Sequence, residues 1–70
     1  MYELEFLPKN KVDNFGQLID STWLTHESLE LTQDLLDFIE NEFEADISEF
    51  DTVIFYHEGC YNLPIKTINL

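Results

Sequence analysis

One stretch constrains the fold more than any other. From Thr25 to about Glu44 the residues sort cleanly on a helical wheel at about 100° per residue. Leu29, Leu31, Leu35, Leu36, Ile39 and Phe43 fill one half, with Phe38 at its edge. Glu27, Glu30, Asp34, Asp37, Glu40, Asn41 and Glu44 fill the other, and only Glu42 falls among the apolar residues. The pattern predicts one long amphipathic helix. Thr25 is placed to cap its N-terminus, with Glu27 in the first turn, where the helix dipole favours negative charge.

Such a helix needs a second layer to cover its apolar side. In Tyr2 to Leu7, Tyr2, Leu4 and Phe6 alternate with Glu3 and Glu5, the period of a half-buried strand, which Pro8 ends. Asp46 is placed to cap a short turn from Ile47 to Phe50. Thr52 to His57 reads as a strand, Glu58-Gly59 as a two-residue turn, and Cys60 to Ile68 as the return strand. Pro64 lacks a ladder donor and puts that return strand at an edge. Between Lys9 and Leu24, Asp13 or Asn14 is placed to cap a short helix holding Phe15, Leu18 and Ile19, although Gly16 counts against it. Trp23 and Leu24 add apolar mass near the start of the main helix. The expectation is a single α+β domain, residues 1–70, with one long helix on a small three-stranded sheet. Its order is β, short helix or loop, α, β, β, closing with a C-terminal hairpin. If the first strand lay parallel to the second, the crossover would be right-handed.

Composition narrows the class. At 70 residues one domain is the ceiling, and 44% hydrophobic and 14% aromatic content are too high for a disordered acidic tail. The longest apolar run, Val53-Ile54-Phe55-Tyr56, is far too short to span a membrane. Met1-Tyr2-Glu3-Leu4-Glu5 has no basic segment of the signal-peptide type. A lone cysteine fits a reducing compartment, so the expected location is the cytoplasm of a bacterium or phage-infected host.

Charge is the unusual property. There are 15 Asp and Glu against 3 Lys and no Arg, a formal net charge of -12. Ten of those acids lie in one block: Glu27, Glu30, Asp34, Asp37, Glu40, Glu42, Glu44, Asp46, Glu49 and Asp51. No lysine occurs between Val12 and Ile65. Carboxylates on a helical face without cationic partners repel by about 0.2–0.5 kcal/mol per neighbouring pair. Acids at the helix C-terminal end oppose the dipole by about 0.3–1 kcal/mol each. A cationic surface docking there relieves both costs. On the long helix the stripe would run about 25 Å, approximating one DNA strand with its phosphate every roughly 3.4 Å. Glu3 and Glu5, or Asp13 and Asp20, would form a second row if the fold brought them near.

Other chemistries fit less well. A solvated face that only keeps the chain soluble, or a halophilic surface, explains the acids without a partner. There is no calcium loop of the D-x-[DN]-x-[DN]-G type, and none of the phosphate-loop, dinucleotide, metalloprotease or serine-hydrolase motifs. His57 and Cys60 lie three apart around a turn, and with His26 they fall short of the four ligands of structural zinc. Adjacent acids on a solvated helix make no acid–base pair. The reading is therefore non-enzymatic, with no cofactor and no metal. Direct nucleic-acid binding is disfavoured, because Lys9, Lys11 and Lys66 are too few for phosphate contacts. Trp23, Tyr56 and Tyr61 are able to stack on bases, but core packing accounts for them more simply.

In size and charge the chain is similar to small phage- and plasmid-encoded DNA-mimic inhibitors, such as anti-restriction, anti-CRISPR and glycosylase-inhibitor proteins. That similarity lies in those properties, and no motif carries it. The expected partner is a basic, nucleic-acid-binding protein, met by Glu27, Glu30, Asp34, Asp37, Glu40, Glu44, Asp46, Glu49 and Asp51. The alternative is a small accessory or regulatory subunit that binds through an apolar face or strand edge, a homodimer included.

Overall fold

The structure is a computed structural model that describes residues 1–43 and 46–70, the side chain of Phe43 excepted. Its element order is β1 (Tyr2–Pro8), β2 (Thr22–His26), α1 (Gln33–Phe43), a 3-10 turn (Ile47–Glu49), β3 (Phe50–His57) and β4 (Lys66–Asn69). The four strands form one antiparallel sheet in the order β2-β1-β3-β4. The protein is thus a small α+β fold with one α-helix among the described residues.

The β1 alternation sets the layers. Leu4 lies between Leu24 on β2 and Phe55 on β3, and Phe6 faces Val53. All of these side chains point to one face, where Leu35 and Ile39 of α1 and Phe50 meet them. Leu4, Phe6, Ile39, Val53 and Phe55 are fully buried, worth about 1.5–3 kcal/mol each relative to exposure. Leu24, Leu29, Leu31, Leu36, Ile47 and Ile68 pack around this core half-buried. Pro8 sits where the register shifts at the end of β1, consistent with its missing N–H. The Lys9 N–H then donates to Glu49 O at 2.8 Å, joining the strand end to the 3-10 turn.

Several expectations hold. β1 and β3 form where alternation and β-branched residues place them. Asp46 caps the 3-10 turn, its Oδ1 accepting from the Ser48 N–H at 3.0 Å. Glu58-Gly59 does make a two-residue turn: Gly59 has φ 82° and the Cys60 N–H donates to His57 O at 2.9 Å.

Others are corrected. The sheet has four strands, not three, because Thr22–His26 pairs with β1 as an edge strand. Thr25 is therefore a strand residue opposite Glu3 and not a helix cap. The helix starts at Gln33 and not at Thr25. Thr32 does the capping, its Oγ1 accepting from the Leu35 N–H at 3.2 Å. The end expected at Glu44 falls outside the described residues. The return strand is only Lys66–Asn69, with Pro64 in the loop before it. No helix forms at 13–19. Asp13 instead closes a tight loop, its Oδ1 accepting from the Phe15 and Gln17 N–H groups while Gly16 takes φ 78°. β1 is antiparallel to both neighbours, so the conditional parallel crossover does not arise.

Candidate functional site

The acidic block comes first. Glu27, Glu30, Asp34, Asp37, Glu40, Glu42, Asp46, Glu49 and Asp51 are all exposed. Leu35 and Ile39 fix which side of α1 meets the core, so Asp34, Asp37 and Glu40 form an i, i+3 row on the opposite side. That row covers six residue steps, about 9 Å. The eleven-residue helix is about 16 Å long, shorter than the expected stripe. Glu27 and Glu30 precede α1, in the segment between β2 and the helix. Glu44 lies outside the described residues.

Parts of this block are tied down. Asp37 Oδ1 accepts from Gln33 Nε2 at 3.0 Å, and Glu40 Oε1 from the Ile47 N–H at 3.4 Å. The second contact draws the end of α1 toward the 3-10 turn, beside Asp46 and Glu49. Hydrogen bonds from Ser48, backbone first, hold the Asp46 carboxyl below its usual range, with a minor contribution from the Lys9 charge. Lys66 turns its Nζ to the Leu29 carbonyl at 3.1 Å.

The sheet's other face is a second candidate. By register it presents Glu3 and Glu5 from β1, Trp23 and Thr25 from β2, Ile54 and Tyr56 from β3, and Thr67 from β4. Trp23 and Tyr56 flank β1, and their rings stack across it with centroids 5.5 Å apart. Tyr61, from the loop after the Gly59 turn, meets Trp23 edge-on at 5.4 Å and Tyr56 at 6.1 Å. Their hydroxyls serve the carboxylates: Tyr56 Oη donates to Glu5 Oε1 at 3.0 Å, and Tyr61 Oη to Glu3 Oε1 at 2.6 Å. Ser21 Oγ donates to the other Glu5 oxygen at 2.9 Å. Burial, then the Glu5 contact, raises the Tyr56 phenol above its ordinary value. The Glu3 hydrogen bond, then desolvation, does the same for Tyr61. A shallow depression of about 380 Å³ lies among Glu3, Trp23 and Tyr61.

This cluster corrects two expectations. Trp23 and Tyr61 are exposed on the face away from the main core, whereas Tyr56 on that same face is buried, as core packing predicts. Glu3 and Glu5 lie on the side of the sheet opposite α1, so they form no second row with the helix acids. Nothing local in the sequence signals the pairings, because each tyrosine is more than fifty residues from its carboxylate.

The loop at 9–20 carries exposed apolar residues. Phe15 is 90% and Leu18 81% exposed, with Val12 and Ile19 beside them. A groove of about 490 Å³ runs between this loop and the 3-10 turn. His57 and Cys60 are both exposed at the Gly59 turn. Among the described residues no three His, Cys, Asp or Glu side chains converge to hold a metal, and no helix is long and apolar enough to cross a membrane. No protein-family model matches the chain, and no curated protein or solved structure does either.

Proposed function

We propose that the chain is a non-enzymatic binding protein that docks its acidic surface on the nucleic-acid-binding site of a basic partner and blocks it by competition. The observation that carries this reading is the exposure of every described acid from Glu27 to Asp51, in a block that contains no lysine or arginine. Asp34, Asp37 and Glu40 are the central contacts. Glu27 and Glu30 precede that row in the chain, and Asp46, Glu49 and Asp51 follow it. Lys and Arg side chains of the partner make charge-assisted hydrogen bonds to them. A carboxylate every ~4.5 Å along the helix row is close to the spacing of phosphates on one strand, roughly 3.4 Å. The short helix makes this the imitation of a few phosphates and not of a long duplex.

The test is a low-salt capture of basic proteins from a bacterial lysate, run with the native chain and with an Asp34→Asn, Asp37→Asn, Glu40→Gln variant. A partner held by the native chain, lost by the variant and displaced by added duplex DNA is the expected result. The variant's fold should be little changed, since relieving like charges returns about 0.2–0.5 kcal/mol per pair while the loss of the Asp34 charge from the first turn of α1 costs about 0.3–1 kcal/mol. A partner held equally by both chains ends the proposal.

A second reading is favoured by the Phe15 and Leu18 tip. Two large apolar side chains exposed on a loop braced by Asp13 suit an accessory subunit that docks by burial. Salt separates the two readings. Charge docking weakens sharply as the Debye length shrinks to about 10 Å at 0.1 M, whereas apolar docking hardly changes.

A further inference from the structure

Two carboxylates on the open face of the sheet differ in how fully they are used. Glu5 is closed, with Tyr56 on one oxygen and Ser21 on the other. Glu3 accepts from Tyr61 through Oε1, and among the described residues Oε2 accepts no hydrogen bond. The depression beside Glu3 is walled by Trp23 and Tyr61, which remain 40% and 49% exposed. By register no Lys, Arg or His points to this face: His26, His57 and Lys66 project on the helix side. A half-satisfied anion therefore lies beside exposed aromatic surface with no cation of its own.

We propose that this depression receives an arginine side chain of a basic protein. The guanidinium plane lies along the exposed indole of Trp23, and its N–H groups donate to Glu3 Oε2 and the remaining lone pair of Oε1. Arginine fits for two reasons. Its planar fork both stacks on an aromatic ring and bonds a carboxylate in two places, which a lysine ammonium does not. Trimethylated ammonium groups are held by cages of several separated rings, whereas Tyr56 is buried and only Trp23 and Tyr61, already in edge-on contact, offer exposed ring surface. The site lies across the sheet from α1 and does not depend on the acidic helix row.

Trp23 is the only tryptophan, so its fluorescence reports on the site directly. The probes are three capped Gly-X-Gly peptides at low salt, where X is arginine, lysine or trimethyllysine. The arginine peptide should give a saturable change, with clearly weaker binding for the other two. Glu3→Gln should weaken arginine binding about tenfold, the scale of one charged hydrogen bond. Trp23→Leu, followed by amide chemical shifts, should abolish it. The Asp34→Asn, Asp37→Asn, Glu40→Gln variant should keep it within roughly twofold, as distant sites act independently. Equal binding of the arginine and lysine peptides overturns the assignment. So does undiminished binding by Glu3→Gln, or shift changes centred on α1.

Discussion

The two faces of the sheet are built from the same strands and solve opposite problems. On the helix side, Leu4 and Phe6 have no exposed surface, and their neighbours are Phe55, Val53, Leu35 and Ile39. That face needs only apolar volume in the right register. On the open side, the intervening Glu3 and Glu5 are half-buried, with phenolic hydroxyls aimed at their oxygens. A carboxylate half-covered by apolar surface is stable only if hydrogen bonds replace the lost water. The closed face thus depends on packing and the open face on partners. The first tolerates exchange of similar volumes and the second does not.

Three measurements sharpen that contrast. The largest effect belongs to the closed face: Phe6→Ala should cost about 3–5 kcal/mol. That is enough to leave a domain of this size largely unfolded by circular dichroism, and retention of a sharp thermal transition would break the comparison. On the open face, Tyr56→Phe keeps the ring and removes the donor to Glu5. It should cost about 1–2 kcal/mol in urea unfolding with an unchanged slope. Equal stability would mean that the hydroxyl is replaced by water without loss. The smallest effect is set by pH. The Tyr56 and Tyr61 phenols both titrate above their ordinary value. Their raised affinity for the proton contributes stability that is fully present below the unfolded tyrosine value of about 10 and is lost as pH rises through the folded values. Phenolate absorbance should develop at higher pH in the native protein than in urea, and Tyr61→Phe should remove part of the difference. Coincident titrations in the two states would show that the carboxylate contacts are absent in solution.

Some of this architecture was readable residue by residue. β1 announces itself because its two faces differ in polarity and Pro8 closes it. The 3-10 turn follows from Asp46, and the turn before Cys60 from Gly59. β2 was hidden because its two sides do not differ. Trp23 packs on the open face while Leu24 packs on the core, so adjacent apolar residues erase the alternation that marks a strand. Without that alternation, Thr25 and Glu27 imitate a helix start and mask the cap at Thr32. The exposed acids were legible as a block, since solvent-facing charge needs no tertiary information. The Glu3 site was not, because it exists only where segments far apart in the chain converge.

The innermost strand pair joins residues 2–8 to residues 50–57. That pair cannot close until Phe50–His57 has been made, so Leu4 and Phe6 lack their Phe55 and Val53 partners while the whole intervening segment is synthesised. Closure of the sheet should therefore be close to all-or-none, governed by the long loop that brings the two strands together. Like-charge repulsion among the intervening acids would hold partly made copies apart during that interval, whatever the finished surface binds.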